Sequence, residues 1–381
     1  MHVMHATNAQ DWESFVTAQQ FPLFLQSWTM GEVYRDIGQE PIRIEVREDG
    51  KIVGVCQAIV VPARRGKHLM VQYGPLLANP EALEPLLNAL KDIATKHGCS
   101  FIRLSPFWIE GDPLTNVLGA ATLPSPMHLL SEYTWYIPLR MEDRWRAEPT
   151  PLPRGGEDTG EGPPRTEAEI LSAMRKTTRN LIGRAEREGV TVEASKDPLK
   201  DLEIYFALQE ETYKRHHFVP YRRSFIEAQV KHFSPQDEAI VYIARYQGEP
   251  VAASVHMSYA GITSYHHGAS THKYAKIPSS YLLQWTAIKE ALHRGDSIYN
   301  FWGIAPPLGG NSQPAKDASS SSEEEPKRTF SPKHPFAGVT TFKTGFGGKP
   351  LPLMHCVDLP LTSSYKLTRM FEQLRKWRRG F

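Results

Sequence analysis

One pattern of strands, turns and a helix occurs twice in this chain of 381 residues. The first copy reads EDGKIVGVCQAIVVPARRGKHLMVQYGPLL, then a helical stretch, then KHGCSFIRL. The second reads YQGEPVAASVHMSYAGITSYHHGAS, then a helical stretch, then HRGDSIYNF. From the opening glycine (Gly50, Gly248) to the glycine that ends the helix (Gly98, Gly295) is 48 residues in one copy and 47 in the other. Two matches of this length without an insertion indicate a duplicated mixed αβ unit.

Length and composition agree with two domains. A chain of 381 residues is too long for one ordinary hydrophobic core. The net charge of +2 excludes polyanion binding by bulk charge, so any basic function must be local. Cys56, Cys99 and Cys356 form no CxxC pair, and no histidine pair has metal-ligand spacing, which predicts a reducing compartment and no metal site. No signal peptide or membrane-spanning run is found, so we expect a cytoplasmic location.

Two segments of biased composition interrupt the chain. Residues 146–168, rich in Pro, Gly and acid, are predicted to be a flexible linker between the two copies. Residues 305–335 are a low-complexity insert that we expect to be disordered, with a lid over a site as the alternative. The predicted domains are therefore 1–145 and 169–345.

Two stretches combine an apolar stripe with clustered basic residues. In 167–190 the stripe contains Ile170, Leu171, Met174, Leu181, Ile182 and Ala185, and the basic residues are Arg175, Lys176, Arg179, Arg184 and Arg187. At the C-terminus, YKLTRMFEQLRKWRRGF has a stripe of Leu367, Met370, Phe371, Leu374 and Trp377. Such helices bind phosphates or anionic headgroups, or they pack the stripe on the domain and leave the charges in water. The sequence leaves both interpretations open.

The strand–turn–strand–helix–strand order resembles N-acyltransferase domains of the GNAT kind. Members that use CoA hold its pyrophosphate on the backbone N–H groups of a glycine-rich turn before the central helix. In this chain ARRGKH (63–68) lies in a predicted hairpin, and HHGASTHKYAKIPSS has a single glycine followed by a proline. CoA binding is therefore disfavoured.

Five stretches, in order along the chain, resemble the Fem family of aminoacyl-tRNA-dependent aminoacyltransferases, which build peptidoglycan interpeptide bridges. They are FLQSW (24–28), MRKTTRNLIGRAEREGV (174–190), YHHGAS (265–270), IYNFWGI (298–304) and FAGVTTFKTGFGG (336–348). The resemblance implies an α+β fold of two GNAT-like domains in tandem, with mixed sheets flanked by helices. It also implies that roughly 346–381 return to complete domain 1. No pair of long helical stretches is seen, so we predict no coiled-coil arm.

The family reaction gives the lysine of the last stretch a role. In that reaction the side-chain amine of the stem peptide's third residue attacks the ester of an aminoacyl-tRNA, and neither metal nor cofactor is required. By resemblance, Lys343 is the cation that stabilises the developing oxyanion. Phe342 would contact substrate, and the glycines at 345, 347 and 348 would allow a close backbone approach or a sharp turn. Alternatively, Lys343 is an edge-strand lysine that discourages aggregation.

At other functional positions of the family, this sequence has the family's residue in one case and a different residue in the others. Tyr265 matches a substrate-contacting tyrosine. The family's cations that hold the acceptor diphosphate fall on Tyr221 and Tyr34, so a lipid-linked precursor or a different amine becomes more plausible as the acceptor than the nucleotide-linked precursor. The predicted substrate-binding residues at these positions are Tyr221, Arg222, Arg223, Phe225, Tyr34 and Arg35, and the predicted tRNA-binding residues are Arg175, Lys176 and Arg179.

Three functions are compatible with these observations. The first, which we favour, is aminoacyl transfer from aminoacyl-tRNA to a peptidoglycan precursor, with peripheral membrane contact through the basic C-terminal helix. The second is acyl-CoA-dependent N-acyl transfer to a polysaccharide or small amine. The third is a non-enzymatic scaffold that binds RNA or a membrane surface.

Overall fold

The structure is a computed structural model that describes residues 1–63, 66–142, 144–145, 162–216, 221–308 and 330–379. Most of the predicted linker 146–168 and most of the predicted insert 305–335 lie outside these residues. The lid interpretation of that insert lies outside them as well.

Strands and helices alternate along the described chain. The strands are β1 (His2–His5), β2 (Pro41–Glu48), β3 (Lys51–Val61), β4 (His68–Gln72), β5 (Leu76–Leu77), β6 (Phe101–Ser105), β7 (Leu123–Pro124), β8 (Tyr133–Pro138), β9 (Thr191–Ala194), β10 (Ala239–Tyr246), β11 (Glu249–Tyr259), β12 (Ile262–Ser270), β13 (Ile298–Gly303), β14 (Lys349–Pro352) and β15 (Val357–Pro360). The helices are α1 (Ala9–Thr17), α2 (Trp28–Asp36), α3 (Leu83–Lys96), α4 (Pro113–Ala121), α5 (Glu167–Ala173), α6 (Lys176–Arg187), α7 (Pro198–His216), α8 (Arg223–Phe233), α9 (Ser279–Arg294), α10 (Ala337–Thr344) and α11 (Tyr365–Arg379).

These strands form two mixed sheets. The first has the order β1-β2-β3-β4-β6-β15-β7, with β5 paired to β3, and the second has the order β14-β8-β13-β12-β11-β10-β9. Strands β4 and β6 pair in parallel, and helix α3 lies in the connection between them. Strands β12 and β13 likewise pair in parallel, with helix α9 in their connection. The predicted fold class, two GNAT-like units with mixed sheets flanked by helices, is confirmed.

The repeated glycine turns have the same conformation. Asp49 and Gly50 have φ of 48° and 79°, and Gln247 and Gly248 have φ of 53° and 80°. Two successive positive φ angles suit the two-residue hairpin turn, whose twist matches that of the flanking strands. The same local geometry therefore starts both copies.

The strand pairing crosses the domain boundaries predicted from the sequence. Strand β8 lies within 1–145 and strand β14 within 346–381, yet both belong to the second sheet. Only β15 of the C-terminal segment joins the first sheet, between β6 and β7. The domain boundaries were predicted from the repeated sequence unit. Which sheet a strand joins is decided instead by its backbone hydrogen bonds at the sheet edge.

Three apolar cores stabilise this arrangement. One core packs α3 on the first sheet and another packs α6 and α9 on the second. The third contains residues of both copies, among them Trp12 and Phe24 from the first and Phe233 and Val255 from the second. The two units are thus joined by buried apolar side chains.

No helix within the described ranges is long and apolar enough to cross a membrane.

The predicted basic helix of 167–190 is two helices. Met174 and Arg175 adopt extended backbone angles between α5 and α6, and the N–H of Arg175 donates to the carbonyl of Gly345 at 2.9 Å. The Arg179 guanidinium donates to the carbonyls of Ser172 and Met174, 3.1 Å and 2.5 Å away, at the end of α5. The basic residues here therefore also hold the chain together.

A buried ion pair fastens the C-terminal segment to the first sheet. Arg103 of β6 donates two hydrogen bonds, of 2.7 and 2.8 Å, to the carboxylate of Asp358 of β15. The same guanidinium donates to Glu372 of α11, and the Tyr365 hydroxyl donates to Asp358 at 2.9 Å. Asp358 has no exposed surface, so all of its stabilisation comes from these partners.

We predict that Arg103→Ala lowers the free energy of unfolding by about 3–5 kcal/mol, because it leaves a buried carboxylate without its partner. Arg245→Ala, which breaks the exposed pair with Glu193, is the matched control and should cost about 0–1 kcal/mol. Urea unfolding measures both. Equal losses in the two variants would contradict the prediction.

Candidate active site

A cavity of about 750 Å³ lies where the two copies meet. Its walls come from the ends of β4 and β13, from α8 and α10, and from the loop before β8. Most of the lining is apolar or aromatic, and a few polar side chains point inward, which is the usual composition of a small-molecule site. Lys343 lies in its wall and is 7% exposed.

The sequence TFKTGFGG places Lys343 on the short helix α10 and then turns the chain sharply. Gly347 and Gly348 have φ of 77° and 99°, backbone angles that residues with a side chain rarely adopt. A Cβ atom at Gly347 would lie 2.7 Å from the carbonyl oxygen of Ala173, and one at Gly348 would clash with the carbonyl of Tyr136. The glycines therefore let α10 dock against α5 and β8. The close approach that these glycines allow is to the protein's own carbonyls of Ala173 and Tyr136.

The Lys343 ammonium has one hydrogen-bond acceptor among the described residues. Its Nζ donates to the carbonyl of Gly303, at the end of β13, over 2.7 Å, and lies 6.0 Å from the ring centre of Tyr265. Burial lowers the pKa of Lys343 to about 7. The interpretation of Lys343 as an exposed edge-strand lysine is therefore wrong, because the residue is helical and buried.

Polar atoms without a partner in the described structure also occur in the cavity wall. Gln229 is fully buried and its Oε1 is unpaired, while its amide nitrogen lies 3.1 Å from Nε2 of His266. The indole N–H of Trp302 is unpaired as well, and Trp302 has φ of 60°. A positive φ in a bulky residue is strained and such strain concentrates at functional sites. Both atoms have almost no accessible surface, so a ligand would reach them only if neighbouring side chains moved.

A hydrogen-bonded cluster lies further along the same cavity. Glu132 Oε2 is 2.8 Å from Nδ1 of both His128 and His355, and Glu132 Oε1 accepts from the N–H of Cys356 at 2.8 Å. Burial raises the pKa of Glu132, but the hydrogen bonds outweigh it and lower that pKa to about 2. The hydrogen bond to Glu132 raises the pKa of His355. Ligand atoms of these three residues lie within 4.8 Å of one another, close enough for a metal, yet the cluster is already satisfied by its own hydrogen bonds.

Among the predicted site residues, Lys343, Tyr221 and Phe225 line the cavity. Tyr221 stacks on Phe225 with ring centres 5.6 Å apart. Tyr34 is buried behind them and its hydroxyl donates to Gln72, which also lines the cavity. The structure therefore brings these aromatic positions of both copies to one site.

The predicted arginines lie outside the cavity lining. Arg35 is paired with Glu32 and with Glu40, and Arg223 is paired with Glu203 and with Glu227. Arg222 is exposed at the start of α8. Carboxylates of the protein thus neutralise two of the cations proposed for a diphosphate.

The remaining predicted residues have other neighbours. Phe342 is not part of the described cavity lining and packs on Tyr281 and Phe346, with ring centres 4.9 Å and 5.3 Å away. Arg175 donates to Thr344 Oγ1 at 2.7 Å, and Lys176 is exposed at the first turn of α6. Phe342 thus packs behind the site, and Arg175 holds the end of α10.

Sequence reasoning missed several residues of the cavity. Trp302 lies in the IYNFWGI stretch but was given no role, and its positive φ leaves no signal in the sequence. Gln229, His355 and the pair His128 and Glu132 come from separate parts of the chain and carry no motif, so only the fold brings them together.

Comparison with known proteins agrees with this architecture. Residues 172–313 match the acetyltransferase (GNAT) domain model, and residues 7–116 match the FemAB family model. The crystal structure of FemX aligns with a TM-score of 0.72 at 18% identity, over 98% of this chain and 100% of that one. No curated protein matches the sequence.

Two other solved structures share the fold. The C-terminal domain of a putative lysylphosphatidylglycerol synthetase from Agrobacterium fabrum has a TM-score of 0.53 at 12% identity, over 97% of this chain and 96% of that one. A tandem GNAT protein from the clavulanic acid biosynthesis pathway has a TM-score of 0.52 at 11% identity, over 95% of this chain and 98% of that one. The fold and the GNAT domain match thus define a tandem GNAT-type acyltransferase. Within that class, the first part of the chain, residues 7–116, is similar to the FemAB family.

The buried lysine makes stability depend on pH. The folded protein holds the Lys343 pKa near 7, and the unfolded chain restores it to 10.5. Between these values the unfolded chain binds more protons, so this group's contribution to stability rises with pH. Lys343→Met removes the effect. The free energy of unfolding of Lys343→Met minus that of the parent protein should therefore be about 2 kcal/mol larger at pH 6 than at pH 9.

Urea unfolding of both proteins at pH 6 and pH 9 measures this difference. Lys276→Met, at an exposed position, is the control and should track the parent protein at both pH values. A stability difference that is the same at pH 6 and pH 9 for Lys343→Met would contradict the lowered pKa.

Proposed function

We propose that the protein transfers an aminoacyl group from aminoacyl-tRNA to an amine of a peptidoglycan precursor. The observation that carries the proposal is the buried Lys343 ammonium, which faces a largely apolar cavity at the junction of the two copies. A fixed cation in a water-poor site stabilises negative charge far better than one in water. The match of residues 7–116 to the FemAB family model supports this reaction over other acyl transfers.

The proposed reaction uses the cavity as follows. The acceptor nitrogen attacks the ester carbonyl carbon, and the carbonyl oxygen becomes an oxyanion that the protonated Lys343 stabilises. The C–O bond to the tRNA ribose then breaks, the amide forms, and the proton lost by the amine ends on the ribose oxygen. Gln229 and Trp302 line the cavity in which the substrates would be held. Because the lowered pKa lies near 7, Lys343 binds and releases protons readily at neutral pH.

The acceptor that fits this chain is a lipid-linked precursor. Arg35 and Arg223, which resemblance aligns near diphosphate-holding positions, are already paired with carboxylates. Any acceptor diphosphate placed near these two arginines would have to compete with those pairs. Arg375 and Lys376 of α11 instead extend to the cavity and leave a cationic edge there for a diphosphate. The proposed location is the cytoplasmic face of the membrane, because aminoacyl-tRNA is made in the cytoplasm.

We expect Lys343→Met to lower turnover by about 100- to 1000-fold, the usual loss when one oxyanion-stabilising group is removed. The assay mixes the protein with bulk aminoacylated tRNA and lipid-linked muramyl pentapeptide, and mass spectrometry detects the added aminoacyl residue. RNase-treated tRNA and Lys276→Met are the controls. Since Lys343→Met should not reduce stability at neutral pH, lost activity cannot be ascribed to unfolding.

Two outcomes of this assay would contradict the proposal. Unchanged turnover in Lys343→Met would remove this residue from the mechanism. Absence of transfer with every charged tRNA, together with thermal stabilisation by acyl-CoA, would favour the second function, since the GNAT domain match covers residues 172–313.

The tRNA is proposed to bind beside α6. Arg175 and Arg179 hold the protein's own carbonyl and hydroxyl groups, whereas Lys176 is exposed at the start of that helix. Lys176→Gln should weaken tRNA binding and reduce the slope of log affinity against log salt concentration by about 0.7–0.9, the value for one phosphate contact. Filter binding at several salt concentrations measures the slope. A slope equal to that of Lys276→Gln would place the tRNA elsewhere.

A further inference from the structure

Helix α11 is attached to the protein through its polar face. The Tyr365 hydroxyl donates to Asp358, Arg369 donates to the carbonyl of Pro124 at 2.6 Å, and Glu372 is paired with Arg103 at 2.7 Å. These side chains follow one another at three- and four-residue steps and therefore share one helix face. That face provides hydrogen bonds and ion pairs where a surface helix usually provides apolar side chains.

The opposite face of α11 is apolar and exposed. Leu367, Met370, Leu374 and Trp377 are 60%, 55%, 51% and 80% exposed. An ideal helix advances about 100° per residue, so Leu374 lies about 180° from Tyr365. In the part of the chain that the structure describes, these four members of the stripe noted in the sequence are therefore exposed. A helix with its polar face inward and its apolar face outward requires a second, apolar environment on its outer side.

Basic residues flank this stripe. Besides Arg369 on the attached face, the sequence of α11 contains Lys366, Arg375, Lys376, Arg378 and Arg379, and a single acid, Glu372, which shares Arg103 with Asp358. An exposed apolar stripe with cations at its edges is typical of a helix that lies in the interface of an anionic bilayer. Long cationic side chains can keep their charge among the headgroups while the stripe enters the acyl region.

The helix also borders the cavity. Arg375 and Lys376 line it, together with Phe336 and Val339, which are 51% and 45% exposed. Lys343, in contrast, is a buried part of the lining. The cavity therefore leads from the edge of the apolar stripe to the buried ammonium.

We propose that α11 docks the protein on an anionic bilayer, so that the cavity opens at headgroup level and admits a lipid-linked, diphosphate-bearing acceptor without extraction from the membrane. The docking surface consists of Leu367, Met370, Leu374 and Trp377 with the flanking basic residues. The occupant is the bilayer surface itself. The part that concerns the acceptor rests on the proposed function, whereas the docking does not.

Vesicle binding tests the docking without any substrate. The full chain is sedimented with vesicles of phosphatidylcholine alone or with a third of phosphatidylglycerol. We expect binding to the anionic vesicles, and Leu374→Asp/Trp377→Asp should weaken it at least about tenfold, because each side chain loses its apolar burial. Val117→Asp, at a 58% exposed position on α4, is the matched control and should bind as the parent protein does.

The stripe variant must remain folded, which circular dichroism and urea unfolding verify. As an independent measurement, the fluorescence difference between the parent protein and Trp377→Phe isolates Trp377, whose emission should shift to the blue on anionic vesicles. Equal binding of the parent protein and the stripe variant, or no binding of either, would overturn the proposal. A dimer found by light scattering and abolished by the stripe variant, without vesicle binding, would assign the stripe to a second copy of the chain and would also overturn it.

Activity separates this proposal from the proposed function. We expect the stripe variant to lose transfer to a lipid-linked acceptor in vesicles by about the factor by which it loses vesicle binding, and to retain transfer to a short-chain, water-soluble analogue. Vesicle binding without any transfer would leave the docking in place and reject the function. Full transfer in vesicles by the stripe variant would reject the docking and leave the function in place.

Discussion

The bidentate pair between Arg103 and Asp358 is the interaction on which the C-terminal part of the structure depends. It joins β6 to β15, which are separated by more than half of the chain, and it lies away from water. Its outer contacts, with Glu372 and Tyr365, fix where α11 leaves the domain. A buried carboxylate without its partner is costly, so the pair specifies one position for the returning chain. The position of β15 in turn fixes the position of α11, the helix that borders the cavity.

The catalytic proposal depends on a second group kept from water. Lys343 is held against one carbonyl at the end of β13, and burial lowers its pKa to about 7. The protein is less stable for carrying this group, and the same desolvation strengthens its interaction with a developing oxyanion. Stability and activity are therefore opposed at this residue. The glycines that follow it let α10 lie close enough to α5 and β8 for the lysine to be buried.

Two surfaces of opposite character meet at the cavity. One side is the junction of the two copies, lined by aromatic rings and by the unpaired polar atoms of Gln229 and Trp302. The other is α11, which turns an apolar stripe and basic edges outward. In the reaction and the docking proposed above, the cavity would hold the reacting groups and α11 would face the bilayer. Together these proposals call for an acceptor whose reactive amine is polar and whose anchor is a lipid.

The sequence by itself determined the duplicated unit, the helix and strand order, and the candidate lysine, because hydrophobic periodicity, turn glycines and a specific motif are local signals. It did not determine that β8 and β14 join the second sheet, that α5 and α6 are separate helices, or that Arg35 and Arg223 are neutralised by carboxylates. Those outcomes depend on pairings between distant residues. Only the tertiary structure decided that α11 turns its polar face inward, because Arg103 and Asp358 satisfy that face and leave the apolar stripe outside.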